Sequence, residues 1–312
     1  MEQFNAVLNQ VLIFMIIMII GFISYKSKFL PESTLPVIST IFSRLIVPFI
    51  VFANTVSGAT RADMKEHAYL VGIYACVFAS LIVISRILPK LLRIKGDRAS
   101  LFSLASSFGN VGYVGIPLLL SIFGQRAMMF VTMYAVVDQT LFWTYGITLT
   151  YPADNKPKFR VKTLVNMINP ALIAILLSIT LILLNVKLPM VLDRAFTTIS
   201  NTGMALPFIY IGGVLSMMKI KDLLKYYEIG AVILVKMLII PMCIFLILRS
   251  AGIPSEIVIV SALLFGLPVI GMSPMLASAN GSDSQYATVM VLVTTIASLI
   301  TYPLITYVTA LI

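Results

Sequence analysis

The sequence predicts an all-α polytopic membrane protein, with ten transmembrane helices arranged as two inverted five-helix repeats. Three observations carry that prediction. The 312 residues are 60% hydrophobic and only 11% charged, where soluble domains carry roughly 25% charged residues. The mean hydropathy is +1.03, and the apolar runs exceed the roughly 20 residues needed to cross the hydrocarbon layer. Two stretches 157 residues apart also carry the same helix-breaking pattern: Phe108-Gly109 leads to Pro117 as Phe265-Gly266 leads to Pro274.

In order along the chain, spans are expected at 6–25, 35–57, 68–88, 99–122, 127–150, 164–185, 192–216, 227–248, 256–278 and 285–309. The first follows Glu2 with no basic leader and no small-residue cleavage site, so it reads as a retained span. Span two carries Arg44 and Val47-Pro48-Phe49-Ile50, and span three carries Cys76. Span four holds three glycines at intervals of three before Pro117, and span five holds Asp138-Gln139 and Thr144-Tyr145. The basic stretch 151–163 joins residues 1–150, the first repeat, to residues 164–312, the second. Span seven contains Leu206-Pro207-Phe208-Ile209, span eight Lys236 and Cys243, span nine two prolines, and span ten Thr301-Tyr302. The two cysteines are read as small buried hydrophobes, with no disulfide or metal spacing. No cofactor is expected.

Charge sets the orientation. One set of loops holds fourteen of the 22 basic residues, from Lys26 and Lys28 through Arg86–Arg98 and Lys156–Lys162 to Lys225, and the opposite set holds six. The positive-inside rule places the richer set in the cytoplasm and both termini outside it, in the cell membrane. The net charge of +10 is thus a topology signal. Scattered over short loops, it does not form a nucleic-acid surface.

The repeat has three anchors in order. The span-two and span-seven Pro-Phe-Ile motifs are followed by the two broken stretches and by the two Thr-Tyr pairs, the last two anchors sharing the 157-residue spacing. Five spans per unit is an odd number, so the second unit inserts upside down, as in secondary transporters.

The broken stretches are the candidate site. Proline removes a backbone donor and crowds the preceding turn, and non-helical backbone at membrane depth must be buried in protein or line a wet cavity. A half-helix N-terminus offers free N–H groups and partial positive charge, so two that cross suit an anion or carboxylate. The residues expected to bind substrate are Asn110, Val111, Gly112, Tyr113, Gly115 and Pro117 in the first break. Pro268, Val269, Gly271, Ser273 and Pro274 are their counterparts in the second. A largely apolar site with a few polar anchors fits a small organic acid. Asp138, with Gln139, is a coupling candidate, because a mid-membrane carboxylate is costly and usually functional. The alternative for Asp138 is a structural pair with Lys236 or Arg44. Asn54-Thr55 in span two and Asn201-Thr202-Gly203 in span seven are weaker candidates, which interhelical hydrogen bonding explains at least as well.

These residues resemble the auxin efflux carrier family over nearly the whole chain. Asn110 to Pro117 resembles the family's Asn-x-x-x-x-Gly-Ile-Pro signature, and Leu267-Pro268 its second crossover. Val137-Asp138-Gln139 with Trp143 resembles a Val-x-Gln…Trp pattern of the plant members, and Val47-Pro48 also matches. The resemblance implies that spans four and nine cross in a mobile transport domain of spans three to five and eight to ten. Spans one, two, six and seven would form a scaffold that dimerises. It further implies elevator-type movement of substrate, with Asn110 contacting its carboxylate. The chain departs from the plant pattern at Val269, where they have Gln, in a span three without acid, and in Asp138 itself.

Two other readings remain. A sodium-coupled organic-anion symporter of the bile-acid type would need oxygen ligands at the crossing, which Ser106, Ser107, Asn110 and Ser273 could supply in part. A channel or sensor would use the same pore without alternating access. An intramembrane enzyme is disfavoured, since there is no H-E-x-x-H or G-x-S-x-G and the sole histidine, His67, lies at a loop edge.

Overall fold

Where lipid offers no hydrogen bonds, the backbone must satisfy itself, and helices do so segment by segment. The computed structural model describes residues 2–155, 170–219, 221 and 225–311. Its regular structure is helical, and an isolated two-residue bridge is the sole β feature among the described residues. The α-helices are α1 (Glu2–Lys26), α2 (Thr34–Ile41), α3 (Val47–Gly58), α4 (Arg61–Glu66), α5 (Tyr69–Leu91), α6 (Gly96–Ser107), α7 (Ile116–Phe123), α8 (Ala127–Thr144) and α9 (Pro170–Leu183). They continue with α10 (Met190–Asn201), α11 (Leu206–Met217), α12 (Ile229–Leu234), α13 (Ile240–Ser250), α14 (Ser255–Phe265), α15 (Ser273–Ala279) and α16 (Ser284–Leu311). Seven helical stretches are long and apolar enough to cross a membrane, and α9 and α14 are shorter apolar helices. The predicted linker beyond Asn155 and the start of span six lie outside the described residues.

Three stretches widen into π-helix: Phe42–Ile46, Val111–Gly115 and Val235–Ile239. Each is followed at once by an α-helix whose second residue is proline: Pro48, Pro117 and Pro241. The cause is local. A proline ring clashes with the carbonyl four residues back, and one extra residue in that turn relieves the clash without ending the helix.

Helix α1 packs along α11. A Cβ on Gly212 would stand 2.0 Å from the Met18 carbonyl oxygen, and one on Gly21 2.4 Å from that of Ile209. Only glycine allows this backbone contact, the usual device for close approach in lipid. Phe14 and Phe208 stack beside it at 3.9 Å. Helix α3 packs on α9 and α10, where Asn54 Nδ2 donates to Ser200 Oγ at 2.8 Å. Thr55 and Thr132 share a hydroxyl hydrogen bond of 2.6 Å between α3 and α8. Asn54 and Thr55 thus bond between helices, whereas the Thr202 hydroxyl donates to the Ile199 carbonyl of its own helix.

A second cluster joins α5 to α6 and α8, and α13 to α14. Its centre is aromatic: Tyr134 lies 4.9 Å from Phe265 and 5.1 Å from Phe78 by ring centroids, and Tyr74 hydrogen-bonds Ser261 at 2.8 Å. The cysteines correct the sequence reading. Cys76 and Cys243 are exposed, on faces turned away from the bundle; a thiol is apolar enough to face hydrocarbon there. The isoleucines at 13, 16, 19, 20 and 23 of α1 are exposed in the same way.

Candidate functional site

The site is built where two helices stop. Helix α6 ends at Ser107, Phe108 is extended, and the chain resumes as helix at Val111. Helix α14 ends at Phe265 and α15 starts at Ser273. The two gaps cross. Gly109 and Val269 pair as an antiparallel bridge, and the Asn110 N–H donates to the Pro268 carbonyl at 2.8 Å. The Val269 N–H donates to Thr294 Oγ1 of α16 at 3.1 Å. Three backbone groups freed by the breaks thus find partners inside protein, as buried polar groups must.

Close approach sets which residues fit. A Cβ on Gly109 would stand 2.7 Å from Leu267 Cβ, and one on Gly115 3.0 Å from Leu267 Cδ2. Leu267 is therefore clasped between two glycines of the first break. Asn110 is 3% exposed and caps the resuming helix, its Oδ1 accepting from the Tyr113 N–H at 3.3 Å. Its Nδ2 lies over Gly271, where a Cβ would stand 3.0 Å away. Val111 and Gly112 then supply the first amides of that helix, which have no intrahelical acceptor.

A cavity of about 340 Å³ opens beside the crossing. Gly109 to Tyr113 line it from the first break, Ile270 to Met272 from the second, and Asp138, Gln139 and Trp143 from α8. Arg44, Ser43 and Val47 close it from the π-widened helix of span two. A smaller cavity of about 90 Å³ lies on the other side of Asn110, Tyr113 and Gly271, bounded by Tyr210 and Pro274. Between them the Tyr113 and Ser39 hydroxyls hydrogen-bond at 2.9 Å, with Phe42 and Tyr210 rings 4.6 and 5.9 Å from that of Tyr113.

The predicted site residues separate by position, Pro274 lining the smaller cavity. Asn110, Val111, Gly112, Tyr113, Gly271, Asp138 and Gln139 line the larger cavity. Gly115, Pro117, Pro268, Val269 and Ser273 line neither cavity and instead shape the crossing. Sequence reasoning treated Arg44 only as a partner for Asp138. It stands in the cavity wall, and the signal was its place four residues before Pro48, on the turn that proline widens.

Asp138 is fully buried. Its Oδ2 accepts from Gln139 Nε2 at 3.0 Å, and Gln139 Oε1 accepts from Trp143 Nε1 at 3.2 Å. Its Oδ1 has no hydrogen-bond partner among the described residues, and no ion pair within 4.0 Å forms there. Lys236, 2% exposed, attracts Asp138 electrostatically. Its ammonium donates elsewhere, to the Ala105 carbonyl at 2.9 Å and to that of Phe108.

A family model described as Membrane transport protein matches residues 6–306. The chain belongs to the auxin efflux carrier family. A carrier of this family is a multi-pass membrane transporter and not an enzyme. The match takes in both broken stretches, Arg44, Asp138 and Lys236. The comparison with curated proteins gave no match.

Proposed function

We propose that this carrier moves a small organic anion, a carboxylate, across the cell membrane by elevator-type alternating access. The substrate binds at the crossing of the two broken helices. The observation that carries the reading is the 340 Å³ cavity, which brings Arg44, Asn110 and the helix start at Val111 and Gly112 to one largely apolar space. A guanidinium binds a carboxylate through two parallel hydrogen bonds. Asn110 donates through Nδ2, and the capped helix start adds partial positive charge. Val47, Ile270, Met272, Met275 and Trp143 present apolar surface to the rest of the molecule. The volume lies at the low end of ligand cavities, roughly 300–1,000 Å³, which suits a small acid.

The same reading takes the chain as ten spans in two inverted repeats, with both termini outside the cytoplasm. Helices α1–α3 and α9–α11 form the scaffold, and a second copy pairs with it as a homodimer. The glycine-mediated contact of α1 with α11 supports a rigid scaffold. The moving helices meet this scaffold through side-chain hydroxyl pairs, Tyr113 with Ser39 and Thr55 with Thr132, which would have to part as they slide.

A sodium-coupled symporter is the second reading. It is favoured by buried oxygens without partners among the described residues: the Ser106, Ser107 and Ser273 hydroxyls and Asp138 Oδ1. The test is the thermal stability of purified protein with mono- and dicarboxylates, in sodium or choline salts. A ligand that binds only the folded state raises the apparent melting temperature. Stabilisation by one acid, independent of sodium and lost in Asn110→Ala, is the expected result. Stabilisation by sodium with no response to any acid contradicts the carrier reading and favours the second.

A further inference from the structure

The break in span four leaves a helix C-terminus inside the membrane, and Lys236 meets it. In an unbroken helix the Ala105 carbonyl would accept from the Gly109 N–H; here Gly109 has left the helix to pair with Val269. The Lys236 ammonium takes that donor's place and also reaches the Phe108 carbonyl. It comes from the π-helix Val235–Ile239, so the widened turn before Pro241 aims a charged side chain at the break. In transporters with broken helices, unwound carbonyls and half-helix C-termini are the ligands of a coupling cation. This end of the crossing has those carbonyls, with Asp138 Oδ1 and the hydroxyls of Ser106 and Ser107 as oxygens without hydrogen-bond partners among the described residues.

We propose that Lys236 is a tethered cation. Its ammonium sits on the carbonyls that would otherwise hold a free coupling cation, and its charge attracts that of Asp138. The carrier therefore binds its substrate without sodium, and removing the ammonium opens a site for a small monovalent cation. The proposal rests on the crossing being the transport site, but its test reads cation binding and stability. It can therefore fail while anion transport stands.

The experiment measures thermal unfolding of the full-length purified protein in choline, sodium, potassium and methylammonium chloride at equal ionic strength. Wild type is expected to melt at the same temperature in all four. Lys236→Ala is expected to melt several degrees lower in choline and to regain most of that loss, saturably, in sodium or methylammonium. Lys236→Gln, which keeps a donor for the carbonyls but no charge, gives the second reading and should respond to the same cations. Should neither variant fold in choline, recovery of folded protein from sodium or methylammonium buffers replaces the shift. Saturable stabilisation of wild type by sodium overturns the proposal. So does a pair of variants that no small cation stabilises or recovers.

Discussion

At the residue scale, the binding energy is concentrated in few groups. A hydrogen bond to a charged group contributes about 1.5–3 kcal/mol, and every 1.4 kcal/mol is about tenfold in affinity. Asn110→Ala and Arg44→Gln should each weaken anion binding by roughly 10–100-fold, read by titration of the purified protein. Asn110→Ala should also lose about 1 kcal/mol of stability with its cap, which Arg44→Gln should not, since Arg44 caps nothing. Equal losses of stability in the two variants would count against these separate roles. Gly271→Ala places a methyl 3.0 Å from Asn110 Nδ2, so it should lower affinity while leaving the fold in place. Gly109→Ala, 2.7 Å from Leu267 Cβ, overpacks the crossing itself and should cost about 1–3 kcal/mol of stability. Unchanged melting of Gly109→Ala would show that the two breaks do not touch as described. Asn110 and Asp138 were legible in the sequence because strongly polar side chains are conspicuous in an apolar run. Gly115, Pro117 and Pro268 were legible only as breakers: residue type marks a bend but does not show which side of it is wet.

At the element scale, proline does more than interrupt helices. Each of the three π-helices precedes a proline by the same interval, and each presents a residue of the site region: Arg44, Tyr113 and Lys236. One inserted residue turns everything before it by about 100°, given 3.6 residues per turn. This is why a reading by regular periodicity could place Arg44 and Lys236 within spans yet not say what they face. Pro241→Ala tests the point with two opposed terms. Helix propensity improves by up to about 3 kcal/mol. Closing the turn removes Lys236 from its carbonyls and leaves a buried charge uncompensated, at about 3–5 kcal/mol. The second term should win, so the apparent melting temperature should fall. A rise would mean that the widened turn contributes nothing to holding Lys236 in place. The broken helices themselves were fully legible, since Gly and Pro act through backbone geometry that needs no tertiary context.

At the scale of the whole molecule, the all-helical architecture follows from composition and from the demand that lipid makes on the backbone. What composition could not give is which faces meet protein and which meet lipid, because both surroundings are apolar. Cys76 and Cys243 show the ambiguity, being exposed where burial was expected. The proposed boundary between scaffold and moving helices passes between Ser39 and Tyr113. In a Cys76→Ser, Cys243→Ser background, joining Ser39→Cys to Tyr113→Cys with a short bifunctional thiol reagent should stop transport reversibly. Full transport by the joined protein would mean that this boundary does not move. Carriage of an organic anion bound at the crossing can be read by counterflow. Protein reconstituted into liposomes would be loaded with an unlabelled carboxylate and given the labelled acid outside. Saturable uptake is expected, accelerated by substrate on the far side and abolished in Asn110→Ala. Uptake that rises linearly with concentration, without acceleration and unchanged in Asn110→Ala, would contradict it.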